Sequence, residues 1–277
     1  MYLGLAAMFV RQKIQLSTYE MAYWQRGEGL PVIFLHGFLG NSDMWQSLVA
    51  ELERVCPGFC WIGVDLLGFG RSAKPDLKYQ IWDQVRFVGE LIRAKGWERF
   101  YLVGYSYGGW TAAAIACESG AFEGLLGLVL IAAAGIRDDQ FVGRYWYLRP
   151  LLWSSPVVDL ALDLVARLVG VWGQGQRLNP IRQARLALRE QPVARSFLRD
   201  RLRPEDAIDT LEAKICQIRV PTLVIAGSAD QTIPLWHGQA YAQGIAGARL
   251  EVLVGADHNL VAEYQTKIVL LIQEFLG

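Results

Sequence analysis

Ser106, which has glycines close to it on both sides, is the residue whose sequence context most directly suggests a catalytic role. Residues 104–109 have the sequence GYSYGG, and they follow the apolar run RFYLV and open the helical pattern GGWTAAAIAC. A serine in a sharp strand-to-helix turn needs glycines around it, because Cβ atoms there would collide with the neighbouring strand and helix. The pattern therefore predicts that Ser106 is a nucleophile for acyl transfer. The alternative is an ordinary glycine-rich turn, since G-x-S-x-G also recurs by chance.

A serine hydroxyl needs a base before it can act as a nucleophile, and the chain has three histidines. His36 ends a predicted strand in FLHGFLG, and His258 follows the last predicted strand in VLVGADHN. His237 lies at the start of a helical pattern in PLWHGQA. Sites in open α/β sheets lie outside the carboxyl ends of the strands, so position favours His36 and His258 as the base.

The elements that must position these residues alternate along the chain. Near-continuous Val, Ile and Leu runs predict buried parallel strands, and the helical patterns between them predict an α/β fold with a doubly wound, mostly parallel sheet. An alternating segment at 13–29 predicts an antiparallel hairpin ahead of the parallel strands. The predicted strands are 31–36, 59–65, 99–104, 127–133, 222–227 and 249–255, and the predicted helices are 43–55, 80–95, 107–119, 235–246 and 260–275.

One long stretch breaks this alternation. Residues 136–205 contain helical patterns but no predicted strand. A structureless connection of that length is unusual inside a compact domain, so the stretch is predicted to be an inserted helical lid. The α/β core is then expected to comprise 1–135 and 206–277.

The predicted lid differs in charge from the rest of the chain. Residues 137–205 hold twelve arginines, no lysine and seven acids, which gives about +5 against about −5 elsewhere, because the total is zero. Arginines solvating helix faces are the ordinary explanation. Peripheral contact with an anionic membrane surface is the less favoured alternative.

Composition bounds the class of protein. A chain of 277 residues with 53% hydrophobic residues supports one large core. The zero net charge gives no sign of a nucleic-acid partner. The four cysteines lack paired metal-ligand spacing and no secretory leader is recognised, so we expect a reduced, cytoplasmic setting and no metal. The oligomeric state stays open.

The motifs together resemble the α/β-hydrolase superfamily from about residue 15 onward. In that family the nucleophile, the acid and the histidine follow one another along the chain. Ser106, Asp230 in GSADQTIP and His258 in GADHN match this order, so the resemblance implies a Ser-His-Asp triad that needs no cofactor. Asp257 is the rival acid because it adjoins His258. Adjacent side chains in a loop point apart, which favours Asp230.

The resemblance also implies an oxyanion hole. It assigns one donor to the backbone N–H of Phe38, which follows His36 and Gly37, and the other to the N–H of Tyr107 directly after the nucleophile. Fixed N–H dipoles at such positions stabilise the negative oxygen of the transition state. His36 is then interpreted as holding its loop through the imidazole, and the run DLLGFGRSAKP at 65–75 as loop scaffolding.

The expected function is that of an esterase or lipase-like serine hydrolase acting on a small to medium apolar acyl substrate. A serine nucleophile excludes the aspartate chemistry of the family's dehalogenase and epoxide-hydrolase branches. Trp146, Trp153 and Trp172 of the predicted lid are candidate substrate contacts, although they could equally form the lid's own core. Thioesters, lactones and amides fit the same triad, as do C–C bond (β-diketone) hydrolysis and perhydrolase-like chemistry. A non-catalytic ligand-binding module is the alternative from another class.

Overall fold

The computed structural model describes residues 9–118, 120, 122–138, 157–161, 163–164, 185–186, 190–200 and 209–277. The strands are β1 (Val10–Gln15), β2 (Glu20–Arg26), β3 (Leu30–Leu35), β4 (Phe59–Val64), β5 (Phe100–Tyr105), β6 (Leu125–Ile131), β7 (Thr222–Gly227) and β8 (Arg249–Leu253). The α-helices are α1 (Gln46–Val55), α2 (Ile81–Ala94), α3 (Tyr107–Cys117), α4 (Pro192–Asp200), α5 (Leu235–Gly244), α6 (Leu260–Glu263) and α7 (Gln265–Leu276).

The described strands form one eight-stranded sheet in the order β1-β2-β4-β3-β5-β6-β7-β8. From β4 to β8 across this order every neighbouring pair is parallel, whereas β1 pairs with β2 and β2 with β4 in antiparallel fashion. The predicted hairpin and the predicted mostly parallel, doubly wound sheet are thus confirmed. β4 lies on one side of β3 in the sheet, and β5, the next strand along the chain, lies on the other side. The direction in which strands are added therefore reverses at β3. Such a reversal opens a crevice at the carboxyl ends of the strands.

The central strands and α3 form the interior. All six residues of β7 and all eleven residues of α3 are buried. A helix that is buried all round must bring small side chains to its neighbours, and α3 does so with Gly108, Gly109 and the alanines at 112–114. This close packing fixes the start of α3, where Ser106 lies.

The backbone divides into two compact units. The first comprises Met1–Ala73, Gln80–Arg137 and Asp209–Gly277, and the second comprises Lys74–Tyr79 and Asp138–Ile208. Within the second unit the buried Arg185 donates two hydrogen bonds to Asp159, Nε to Oδ1 at 2.5 Å and Nη2 to Oδ2 at 2.9 Å. The Tyr79 N–H donates to Ser196 Oγ at 2.9 Å. The two hydrogen bonds of the Arg185 guanidinium to one carboxylate fix the segment around Arg185 relative to the segment around Asp159.

The lid over 136–205 stays a prediction, and its candidate contacts Trp146, Trp153 and Trp172 lie outside the described residues. Among the residues that are described, none of the helices is long and apolar enough to cross a membrane.

Candidate active site

Ser106 occupies the turn between β5 and α3 with a backbone conformation that side chains rarely adopt, φ 53° and ψ −114°. The two flanking glycines explain how the turn is accommodated. A Cβ on Gly104 would lie 2.3 Å from the Gly108 carbonyl oxygen, and a Cβ on Gly108 would lie 2.2 Å from the Leu35 carbonyl oxygen. Neither contact is compatible with a side chain, so the steric reason predicted for these glycines is confirmed. A non-glycine residue with positive φ costs about 1–3 kcal/mol.

Hydrogen bonds from neighbouring elements hold this strained turn. The Ser106 N–H donates to the Ile131 carbonyl at 2.9 Å, at the end of β6. The Ser106 carbonyl accepts from the N–H groups of Trp110 at 3.0 Å and Ala134 at 3.1 Å. The backbone on both sides of the serine is therefore fixed by β6, the loop after it and the first turn of α3.

His258, in the loop after β8, lies between Ser106 and Asp230. Its Nε2 is 3.1 Å from Ser106 Oγ, and its Nδ1 is 2.8 Å from Asp230 Oδ2. The Asp230 side chain is fully buried, while the His258 side chain is 24% exposed. With a carboxylate at Nδ1, the imidazole carries its proton there and presents Nε2 as an acceptor to the serine hydroxyl. The structure thus brings together the three residues that the sequence analysis grouped.

Asp230 is held by its own loop after β7. Its Oδ1 accepts the N–H groups of Thr232 and Ile233, each at 2.8 Å, which leaves Oδ2 for His258. Three hydrogen-bond partners thus surround this buried carboxylate, so none of its contacts depends on water.

The side chain of Asp257, the alternative acid, contacts a neighbouring backbone group and not the imidazole. The exposed Asp257 accepts the N–H of Asn259 through Oδ1 at 2.8 Å, as part of a local turn. The carboxylate in contact with His258 is therefore that of Asp230, as expected from the argument that adjacent loop side chains point apart.

His36 is fully buried beside the loop after β3, and backbone groups occupy both of its nitrogens. Nδ1 lies 2.7 Å from the Gly37 carbonyl, and Nε2 accepts the Leu66 N–H at 3.1 Å. Burial lowers the pKa of His36, and it outweighs the opposing effects of the Gly37 carbonyl and the Asp65 charge. A neutral imidazole that joins two loops fits the predicted structural role.

Asp65 anchors the loop that follows β4. Its Oδ1 accepts the Ser42 N–H at 2.7 Å and its Oδ2 accepts the Arg71 N–H at 2.8 Å. Gly70 has φ 49°, and a Cβ there would lie 2.3 Å from Asp65 Oδ2. These contacts fit the interpretation of 65–75 as loop scaffolding, with the buried carboxylate of Asp65 at its centre.

Phe38 and Tyr107, which the resemblance assigns to an oxyanion hole, lie side by side. Their ring centroids are 5.8 Å apart, and each ring is 5.7 Å from that of Phe69. The approach is close because Gly108 has no side chain to separate the loop after β3 from α3. Tyr107 is the first residue of α3, where the aligned peptide dipoles concentrate partial positive charge.

The remaining candidates have other surroundings. His237 is buried in the first turn of α5, where its ring centroid is 3.8 Å from that of Trp236. The four cysteines are free, and three of them are buried. Across the described ranges, no group of three or more His, Cys, Asp or Glu side chains could hold a metal ion.

Tyr105, which directly precedes Ser106, is a residue of the site for which the sequence predicts no role. Its hydroxyl donates to the backbone carbonyl of His258 at 2.6 Å. The only available signal was its place as the first variable residue of G-x-S-x-G. Nothing in the sequence indicates a bond to a carbonyl 153 residues away.

The mostly parallel sheet, the strained serine turn after β5 and the adjacent His-Asp pair define an α/β protein of the class that carries a serine in a sharp strand-to-helix turn. Residues 31–263 match the family model described as alpha/beta hydrolase fold. The chain belongs to this family.

Relatives in the family are named for different substrates. The human monoacylglycerol lipase ABHD6 is 27% identical over 294 residues, which cover 99% of this chain and 83% of that protein. The 2-hydroxy-6-oxo-6-(2'-aminophenyl)hexa-2,4-dienoic acid hydrolase of Metapseudomonas resinovorans is 25% identical over 235 residues, covering 82% of this chain and 77% of that protein. A thermophilic esterase from Thermogutta terrifontis superposes with a TM-score of 0.72 at 24% identity, covering 96% of this chain and 98% of that one. At that identity the likeness concerns the fold alone.

Proposed function

We propose that this protein is a serine hydrolase that cleaves carboxylic esters of small to medium apolar acyl groups. The observation that carries the proposal is the hydrogen-bond path from Ser106 Oγ through both nitrogens of His258 to the buried Asp230, with distances of 3.1 and 2.8 Å. A hydroxyl in contact with an oriented base is the arrangement that nucleophilic acyl transfer requires. The human relative is named as a monoacylglycerol lipase, which supports an ester as the bond type.

The first half of the reaction forms an acyl-enzyme. His258 Nε2 takes the proton of Ser106 as Oγ attacks the acyl carbon, and the charge of Asp230 stabilises the resulting imidazolium. The tetrahedral intermediate collapses when Nε2 returns that proton to the leaving alkoxide, which departs as the alcohol.

The second half of the reaction releases the acid. His258 Nε2 takes a proton from water, and the hydroxide attacks the acyl carbon of the ester formed with Ser106. The proton then returns to Oγ as the carboxylic acid leaves. The chemistry uses only this chain's side chains and backbone, together with water.

The proposal assigns the oxyanion to the backbone N–H groups of Phe38 and Tyr107. It is supported by the contact between their rings and by the position of Tyr107 at the N-terminus of α3. One such donor contributes about 3 kcal/mol to the stability of the transition state.

The apolar character of the acyl group is proposed from the aromatic rings beside the nucleophile. Phe38, Phe69 and Tyr107 lie in mutual contact next to the turn that carries Ser106, where the buried Phe69 and Tyr107 support the partly exposed ring of Phe38. Pockets lined by apolar and aromatic side chains favour apolar ligands. A contribution from Trp146, Trp153 or Trp172 remains part of the proposal.

A second candidate is hydrolysis of a carbon–carbon bond next to a carbonyl. The relative from Metapseudomonas resinovorans favours it, because that protein is named as a hydrolase of a hydroxy-oxo-dienoic acid. Ester and C–C substrates differ in their leaving groups, so turnover of the two types separates the candidates.

The test starts from labelling with a fluorophosphonate, which phosphonylates activated serines. We expect one adduct per chain, mapped to Ser106 by peptide mass spectrometry, and none in Ser106→Ala. Turnover of p-nitrophenyl esters of increasing chain length should then exceed turnover of a vinylogous β-diketone acid. The reverse order of turnover would favour the C–C hydrolase. If a smaller phosphonylating reagent also left Ser106 unmodified, the ligand-binding alternative would replace the proposal.

A further inference from the structure

Tyr105 connects the strand that carries the nucleophile to the residue that would act as its base. It is the last residue of β5 and directly precedes Ser106. Its hydroxyl donates to the His258 carbonyl at 2.6 Å, and its ring centroid lies 5.2 Å from the centroid of the imidazole. Tyr105 therefore contacts His258 at both the backbone and the side chain.

The surroundings of Tyr105 fix its own position. It pairs with Ile131 in the register between β5 and β6, so its backbone belongs to the rigid sheet. A Cβ on Gly37 would lie 2.9 Å from two carbons of the Tyr105 ring, which shows that the loop after β3 packs directly on one side of it. The Trp45 ring lies 6.5 Å away and is nearly perpendicular. A tyrosine with two side-chain torsions, packed in this way, offers its hydroxyl in a fixed place.

The hydroxyl is also kept in its donating form. Burial raises the pKa of Tyr105, and the negative charges of Asp230 and Asp257 raise it further.

The loop that carries His258 is tied to the loop after β7 before the histidine, where the Ala229 N–H donates to the Ala256 carbonyl at 2.9 Å and the Gly255 N–H donates to Ser228 Oγ at 2.8 Å; the Tyr105 bond adds an anchor at His258 itself. Val254 in this loop is 83% exposed, and Gly255 has φ 77°, so the segment leaves the sheet through an exposed turn. The bond from Asp230 holds one edge of the imidazole, but a ring held at Nδ1 alone can still pivot about that contact. A second fixed point on the His258 backbone limits this pivot.

We propose that Tyr105 is a positioning residue whose hydroxyl, by holding the His258 carbonyl, sets the distance from His258 Nε2 to Ser106 Oγ. The proposal rests on the proposed function. Proton transfer depends steeply on this distance, and misplacement by about 1 Å costs on the order of 100-fold in rate. Loss of the hydroxyl therefore slows attack by the serine without removing a contact to substrate.

The variant Tyr105→Phe removes only the hydroxyl. We expect the second-order rate constant for fluorophosphonate labelling at Ser106 to fall about 10-fold. The final number of labelled sites per chain should stay at the wild-type value, and kcat on a p-nitrophenyl ester should fall with KM unchanged. Rate and stoichiometry together separate misplacement of the base from loss of folded protein.

Tyr264→Phe is the matched control, because Tyr264 also donates its hydroxyl to a backbone carbonyl of the same loop, that of Val254 at 3.3 Å. It should label at the wild-type rate. A wild-type rate in Tyr105→Phe, or a lower stoichiometry with an unchanged rate, would overturn the positioning role while leaving the proposed function intact. If the wild-type protein itself were not labelled, the proposed function would fail and the role of Tyr105 with it.

Discussion

The loop after β3 and the loop after β8 each present a histidine beside the same serine turn, but the two imidazoles have opposite surroundings. His36 is completely buried, and both of its nitrogens contact backbone groups. The His258 side chain is 24% exposed, and its nitrogens contact two side chains, the carboxylate of Asp230 and the hydroxyl of Ser106. One ring joins two loops, and the other can exchange a proton with a hydroxyl.

The position of a histidine in the fold therefore does not decide its role. Both residues follow parallel strands and lie at the carboxyl edge of the sheet. Their partners distinguish them, because backbone amides neither give up nor accept protons at neutral pH, whereas a hydroxyl paired with a base can transfer one.

The largest expected effect is the loss of kcat when Ser106 or His258 is replaced. Replacing Ser106 or His258 by Ala should lower kcat about 10⁶-fold, with little change in the free energy of unfolding. The double variant should lose no more than either single variant, because the two residues act as a unit. Ester turnover and urea denaturation measure the two quantities. Additive losses of activity would show that the residues act independently.

The next effect concerns which carboxylate acts with His258, that of Asp230 in the loop after β7 or that of Asp257 in the loop after β8. Asp230→Asn should lower kcat about 10⁴-fold, because an amide no longer selects the tautomer in which Nε2 is the acceptor. Asp257→Asn serves as the matched control, since it changes an exposed carboxylate beside the same histidine and should alter kcat by less than about 2-fold. The opposite ranking of the two variants would reassign the acid.

Replacement of His36 should instead affect the fold. His36→Ala leaves the buried Leu66 N–H without its imidazole partner, whereas the Gly37 carbonyl still accepts the Gly40 N–H at 3.1 Å. An unsatisfied buried donor costs about 1–3 kcal/mol, so the free energy of unfolding should fall by about that amount. Chemical denaturation followed by circular dichroism measures the loss. An unchanged unfolding free energy with abolished turnover would instead give His36 a chemical role.

The smallest effect concerns the dependence of stability on pH. Because burial lowers the pKa of His36 in the folded state, the unfolded chain binds more protons below its own pKa of about 6.5. Stability from this residue is therefore present above that pH and is lost as the pH falls towards the folded pKa. The slope reaches at most about 1.4 kcal/mol per pH unit.

Urea denaturation at pH 7.5 and pH 5.5 tests this sign by comparing the wild-type protein with His36→Ala. The variant should lose less stability between the two pH values than the wild-type protein does. Equal losses would show that His36 does not titrate between the folded and unfolded states in this range.

The sequence predicts the strands from their apolar runs, and the convergence of parallel strands at their carboxyl ends favours His36 and His258 as bases for Ser106. The grouping of Ser106 with Asp230 and His258 comes from the resemblance to the family, through the order of the three residues along the chain. It could not predict the role of Tyr105, because that contact is to a backbone carbonyl, which any residue supplies. The contact of Asp209 could not be predicted for the same reason, because its Oδ2 accepts a backbone N–H, that of Ile81 at the start of α2. The distance is 2.7 Å, and the two residues are 128 positions apart. The grouping of Lys74–Tyr79 with the second unit also depends on distant contacts.

Because Ser106 precedes His258 by 152 positions in the sequence, the serine is synthesised well before the histidine. The two residues are 152 positions apart, and a ribosome that adds about 5–20 residues per second needs about 8–30 s to reach the second from the first. Throughout that interval the nascent chain carries the serine without the histidine that is proposed as its base. Any reactivity that depends on His258 is therefore withheld from the growing chain, and it begins only after the last strand of the sheet has been made.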